Sequence, residues 1–259
     1  MANRIATRAE RKSRFQEHRT ITAKDSGHEK RILCVIPSLP KDLNSLSIMS
    51  ITNQTYPVEM LIVLPKEVAR GTTSQKVSRV LNDGLSHVKL QDFDYLLRVD
   101  GDVVLPSNFL EENLRGEPDL CGGAGYAMLI KVKSFLKVMK GKFHSLSDDS
   151  YTCYKFMKEG FEPVKRKIEP VRMRQKGLHH GTSYFAKPRH QSILYFYHRG
   201  KGMHRLGYEP FHMFGRLRHS IWNIFAVLGY FAAIVRREDR LDVADFVWRR
   251  QVRRLLGLF

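Results

Sequence analysis

The chain has 259 residues, 42% of them hydrophobic, which excludes a disordered polypeptide and leaves room for one large domain or a domain with an appendage. Lys and Arg number 44 against 26 Asp and Glu, a formal net charge of +18. That balance disfavours cationic partners and favours nucleic acid, anionic lipid headgroups or phosphorylated substrates.

Residues 1–30 are rich in charge and hold no apolar signal-peptide core, so they predict a flexible or marginally helical basic arm with no sign of export. Cys34, Cys121 and Cys153 are scattered among apolar runs, in neither disulfide-framework nor zinc-ligand spacing. They predict reduced core thiols of a cytosolic chain. A first buried strand is expected over 31–37, where Ile32, Leu33, Cys34, Val35 and Ile36 run unbroken to Pro37, and Pro40 helps close the loop that follows. Asp42 is placed to cap a helix reaching about Asn53, with Leu43, Leu46, Ile48 or Met49, and Ile51 on its inner face. A second apolar strand covers 58–64, and Val77, Val80, Leu81 and Leu85 give helical spacing to 72–87.

The apolar run from Tyr95 to Leu105 is interrupted by Asp100-Gly101-Asp102, which reads as a buried strand delivering two carboxylates at its carboxyl end. The β-α-β-α-β order to this point implies a parallel, doubly wound sheet that takes ligands along that edge. Two carboxylates so close repel each other, and a hard divalent cation between them and a diphosphate relieves the repulsion. Gly101 allows a tight turn and close approach to a ligand. A plain Asp-Gly surface turn would use the same residues.

A short helix is expected over 106–114 and a strand over 120–130, entered through Gly122, Gly123 and Gly125; no Lys-Ser/Thr follows to complete a phosphate-binding loop. Asp148-Asp149 opens a helix over 150–159 that Gly160 closes. Carboxylates at a helix start serve as dipole partners, or one of them acts as a base on an acceptor hydroxyl. Two short edge strands are expected within 161–173. His179 and His180 point apart on an extended chain, so at most one would ligate a metal held by Asp102.

Residues 189–206 form a basic amphipathic segment. The stretch 221–235 is apolar except at Asn223 and Gly229 and is flanked by Arg216, Arg218, Arg236 and Arg237, yet it is shorter than the roughly twenty residues a spanning helix needs. Residues 241–259 set Leu241, Ala244, Phe246, Trp248, Val252, Leu255 and Leu256 among Arg249, Arg250, Arg253 and Arg254. Such a helix suits the plane of an anionic membrane, and the same face would serve for docking on the preceding domain.

In this order the features resemble the family 2 glycosyltransferases, inverting enzymes of the GT-A fold, over most of residues 31 to 184. The likeness is most specific at Ser50-Ile51-Thr52-Asn53-Gln54-Thr55-Tyr56-Pro57, at Lys76 through Asn82 with Gly84, at Asp100-Gly101-Asp102, and at Asp148-Asp149 with Gly160. The resemblance implies an α/β fold: a GT-A-like, Rossmann-type, doubly wound and mainly parallel sheet over 31–188, preceded by the arm 1–30 and followed by membrane-associating helices over 189–259. It implies that Pro37, Ser38, Leu39, Lys76, Asp100 and Gly101 bind a nucleotide-sugar donor, UDP- or GDP-linked. It further implies that Asp102 and Asp100, with His180 or His179, hold Mn2+ or Mg2+, and that Asp149 with Asp148 supplies the base. Pro65-Lys66 departs from the family, whose members often carry an aspartate there for the nucleotide base; Asp148 stands where Glu is commoner, and His179-His180 replaces a basic-aromatic motif.

The expected acceptor is lipid-linked or a glycan, and the expected location is cytoplasmic, peripheral or monotopic at the inner face of the cell membrane. Two other classes fit parts of the pattern. A nucleotidyltransferase also holds a metal on strand-end aspartates, and would release pyrophosphate from a triphosphate. A nucleic-acid-binding protein would account for the charge but leaves the carboxylates without a purpose, and with no reading motif present no specific nucleic acid is expected.

Overall fold

The computed structural model describes residues 30–38, 43–64, 72–122, 127–172 and 192–258. Its main sheet has the strand order β2-β1-β3-β6-β5. β1 (Ile32–Pro37), β2 (Glu59–Val63) and β3 (Tyr95–Val99) are parallel neighbours, with Val35 opposite both Leu61 and Arg98. These are the three strands expected from the apolar runs. Beyond β3 the sheet turns antiparallel, with β6 (Ala127–Lys131) beside β3 and β5 (Leu120–Cys121) at the edge. The single strand expected over 120–130 is therefore a pair. Gly122, at φ 91, ends β5, and a side chain there would meet the Ala127 carbonyl oxygen at 2.7 Å. Gly122 marks the end of one strand, not a strand interior.

The two-residue period of strand side chains sorts the core into two layers. Leu33, Val35, Leu96, Leu120 and Ile130 face α2 (Thr73–Leu85), α4 (Val132–Met139) and α5 (Asp148–Lys158). Ile32, Cys34, Ile36, Leu97 and Cys121 face α1 (Ser45–Thr52) and α3 (Phe109–Leu114). The product is a sheet sandwiched between helices. The cysteines behave as expected: all three are free, Cys34 and Cys121 buried and Cys153 half-buried.

Local departures have local causes. Asn44 caps α1, its side chain accepting from the Leu46 amide at 2.9 Å, while Asp42 lies outside the described residues. On α1 Ile51 is buried as expected, but Leu46 and Met49 are 48% and 54% exposed. Ser47 takes the inward place because its hydroxyl donates to the Val103 carbonyl at 2.5 Å, which fixes the rotation of the helix. At the far end of α5, the Gly160 and Phe161 amides donate back to the Met157 and Phe156 carbonyls, as a glycine-closed helix requires. Within 161–173, Val164 bridges to Cys121, and β7 (Val171–Arg172) pairs antiparallel with β4 (Val103–Val104).

The C-terminal region contains α6 (Ile193–Leu206), α7 (Pro210–Gly215), α8 (Ile224–Val235) and α9 (Ala244–Leu255). Leu206, Val243 and Val247 are buried in the same layer as Leu33 and Val35. Asp242 accepts from the Tyr151 hydroxyl and from Lys155 Nζ, each at 2.7 Å, tying the turn before α9 to α5. The start of α9 thus docks on the sheet domain through Val243, Ala244 and Val247, whereas Trp248, Leu255 and Leu256 remain exposed. α6 and α8 cross at near backbone contact: a Cβ on Gly200 would lie 1.8 Å from the Ala226 carbonyl oxygen, and one on Gly229 would lie 2.0 Å from that of Tyr197.

Candidate functional site

β3 ends at Val99, so Asp100 and Asp102 fall at the carboxyl edge of the parallel strands, in a turn closed by the Val103 amide donating to the Asp100 carbonyl at 3.1 Å. Asp102 is buried. The turn sits directly against the end of β1. A Cβ on Gly101 would stand 2.5 Å from Ser38 Oγ, and the Gly101 carbonyl accepts from the Asn44 amide at 3.0 Å. Only glycine permits this approach without displacing Ser38. Pro37, Ser38, Asp100, Gly101 and Asp102 are therefore brought together.

The stretch Ser50 to Gln54 has a visible purpose. Ser50 Oγ accepts from the Leu105 amide at 3.0 Å, and Gln54 donates to the Pro106 carbonyl at 2.7 Å while accepting from the Leu110 amide at 3.0 Å. These bonds brace the chain just beyond Asp102, so the end of α1 holds the acidic turn in place.

Arg98 is the residue that reading the sequence alone misses. Alternation turns its side chain to the α5 side of the sheet, where it is buried. Its Nη2 lies 2.9 Å from Asp100 Oδ1 and 3.1 Å from Asp148 Oδ2. One guanidinium thus joins the strand-end acid to the helix-start acid. Burial works against the Arg98 charge, yet Asp100, Asp148 and Asp149 raise its pKa above the ordinary arginine value. Burial likewise raises the Asp148 pKa, opposed by Arg98. A signal was present in the sequence: an arginine inside an otherwise apolar strand has to find carboxylate partners.

The two acids of α5 have different surroundings. Asp148 is buried against Arg98. Asp149 is half-buried, and its Oδ1 accepts from the Ser147 hydroxyl at 3.0 Å and the Ser150 amide at 2.6 Å. Ser147 holds a left-handed backbone, φ 58, at the entrance to the helix. Its amide bonds the Ser74 hydroxyl of α2, and Ser74 also donates to the Ser145 carbonyl at 3.4 Å. The first turn of α2, next to Lys76, is therefore fastened to the start of α5. Leu39, His179 and His180 lie outside the described residues.

Among the described residues no three His, Cys, Asp or Glu side chains cluster as a ready-made metal cage. The donor set nevertheless fits a hard cation shared with phosphates, since Mg2+ needs only one or two protein carboxylates when phosphates complete its shell, and Asp102 and Asp100 bracket one turn. A hollow of about 360 Å3 lined by Pro106, Asn108, Glu112, Arg166, Lys167 and Ile168 contains none of the residues expected at the site.

No protein family and no curated protein matches the chain. Among solved structures it is similar to the mannosyltransferase PcManGT from Pyrobaculum calidifontis in complex with GDP-Man and Mn2+, at 15% identity and TM-score 0.48, over 92% of this chain and 84% of that one. It is also similar to a Drosophila β1,4-galactosyltransferase 7 mutant in complex with manganese, UDP-Gal and xylobiose, at 14% identity and TM-score 0.41, over 63% of this chain and 76% of that one. A third likeness is to a glycosyltransferase involved in glycosylation of the major capsid of PBCV-1, at 12% identity and TM-score 0.33, over 52% of this chain and 81% of that one. Likenesses this distant define no family for the chain.

Proposed function

We propose that the chain is a metal-dependent, inverting glycosyltransferase. It would move a sugar from a UDP- or GDP-linked donor to a hydroxyl or phosphate of a lipid-linked or glycan acceptor, at the cytoplasmic face of a membrane. The observation that carries this reading is the Arg98 guanidinium between Asp100 and Asp148, because it unites two acidic motifs at the ligand-binding edge of a parallel sheet.

Asp102, with Asp100, would hold Mn2+ or Mg2+, and the cation supplies neutralisation of the charge developing on the leaving nucleoside diphosphate. Ser38 and Gly101, already in contact, would form the floor on which the nucleotide lies. Arg98 offsets the charge of Asp100 and Asp148, lowering the repulsion that an incoming diphosphate meets. Asp149, accessible and oriented by Ser147 and Ser150, would accept the proton of the acceptor hydroxyl as that oxygen bonds the anomeric carbon and the bond to the diphosphate breaks. A single base with no carboxylate nucleophile gives inversion, by the logic that separates inverting from retaining glycosidases.

Calorimetric titration of UDP- and GDP-sugars with Mn2+ tests the reading. One donor should bind only with metal present, and Asp102→Asn should weaken that binding by about tenfold or more. Asp149→Asn should keep donor binding while lowering turnover by about 10²–10⁴-fold. Nucleotide binding that ignores both metal and Asp102→Asn would overturn the site. Consumption of a nucleoside triphosphate with release of pyrophosphate would make the chain a nucleotidyltransferase.

A further inference from the structure

We infer that the exposed face of α7 and α8 docks on an anionic lipid bilayer, with α8 lying flat among the headgroups. This deepens the membrane part of the proposed function and stands apart from sugar transfer.

α8 is apolar all round, but its two faces have different fates. Ala226, Val227, Tyr230 and Ala233 are buried, the Tyr230 hydroxyl donating to the Tyr208 carbonyl at 2.6 Å, and Gly229 lies against the α6 backbone. The opposite face carries Ile224, Leu228, Phe231 and Val235, which recur at helical spacing, and Leu228 and Val235 are 54% and 82% exposed. α7 extends the surface with Phe211, 73% exposed, and with Phe214, whose ring is 5.9 Å from that of Phe231. A continuous apolar surface of this kind marks an interaction site.

Its geometry rules out crossing the bilayer. The 12 residues of α8 rise about 18 Å, against about 30 Å of hydrocarbon. One face is also committed to α6, and among the described residues no helix is long and apolar enough to span a membrane. Charge selects the occupant. Arg216 and Arg218 precede α8, Arg236 and Arg237 follow it, and residues 210–237 contain no Asp or Glu. Those cations complement phosphate headgroups, whereas a second copy of a +18 chain would bring like charges together.

The test is flotation of the full chain with vesicles of mixed phosphatidylcholine and phosphatidylglycerol, and with phosphatidylcholine alone. The chain should float with the mixed vesicles and largely remain below with the neutral ones. Combining Leu228→Gln, Phe231→Gln and Val235→Gln, all at exposed positions, should lower partitioning by about tenfold or more. Leu46→Gln with Met49→Gln, equally exposed on α1, should leave it unchanged. Independently of whether the triple variant folds, a reporter introduced at the most exposed α7 position by Phe211→Trp, in a chain also carrying Trp222→Phe and Trp248→Phe, should be quenched by brominated lipid. Failure of the native chain to float, full flotation of the folded triple variant, or an unquenched reporter at position 211 would each overturn the inference. So would a dimer in solution that the triple variant abolishes without any lipid binding. Nucleotide binding measured in parallel separates the two readings: a chain that floats without binding nucleotide retains this surface and loses the transferase, and the converse result loses only the surface.

Discussion

Replacing Arg98 by Met tests whether one guanidinium holds the site together. The side chain is 4% exposed and contacts carboxylate oxygens at 2.9 and 3.1 Å. Methionine fills similar space without charge, leaving Asp100 and the buried Asp148 facing each other across the junction of β3 and α5. Removing one partner of a buried ion pair costs about 3–5 kcal/mol, a large share of the roughly 5–15 kcal/mol that holds a typical domain folded. Urea unfolding followed by circular dichroism should show the midpoint lowered by about 1 M or more. Most of that loss should come from stranding Asp148, so adding Asp148→Asn should restore about 1–3 kcal/mol in a double-mutant cycle. A variant within about 1 kcal/mol of the native chain, or a cycle with no coupling, would refute the clamp; the first value is what an exposed ion pair would cost.

Two further outcomes follow from the C-terminal region. Gly200→Ala should destabilise the protein by about 1–3 kcal/mol or more by forcing α6 from α8, since its Cβ would sit 1.8 Å from the Ala226 carbonyl oxygen; an unchanged melting temperature would contradict the crossing. His212 lies beside Arg216, 3.3 Å between Nε2 and Nη1, and burial followed by Arg216 and Arg199 pushes its pKa down to about 4. The folded state keeps this imidazole neutral, so the stability is present above the usual value of about 6.5 and is lost as pH falls toward 4. The melting temperature of His212→Gln should therefore fall less than that of the native chain across that window, and parallel curves would exclude the effect.

The parallel strands are legible in the sequence because a strand covered on both faces is a nearly continuous apolar run. Asp100, Gly101 and Asp102 stand out for the converse reason, as charge placed where such a run stops. The antiparallel pair β5 and β6 is less legible, since apolar residues on both sides of the glycines look like one element until pairing shows the reversal. The Arg98 clamp depends on Asp148, fifty positions away, a pairing that no local pattern encodes. For α9, periodicity shows an apolar face but not what covers it, and the structure divides that face between Val247, buried on the domain, and Trp248, left outside.

The burial of Val243 and Val247 against α5 and α6, in the core cluster that also holds Leu33, Val35 and Leu96, governs how the protein can be made. During synthesis the strands and α5 emerge early, but the side of α5 on which α9 packs stays open until α9 has left the ribosome. At about 5–20 residues per second, that side of α5 waits on the order of ten seconds with apolar surface uncovered. A ribosome stalled before Val247 would release a chain whose core is still open on that side, a substrate for chaperones and proteases instead of a smaller folded protein.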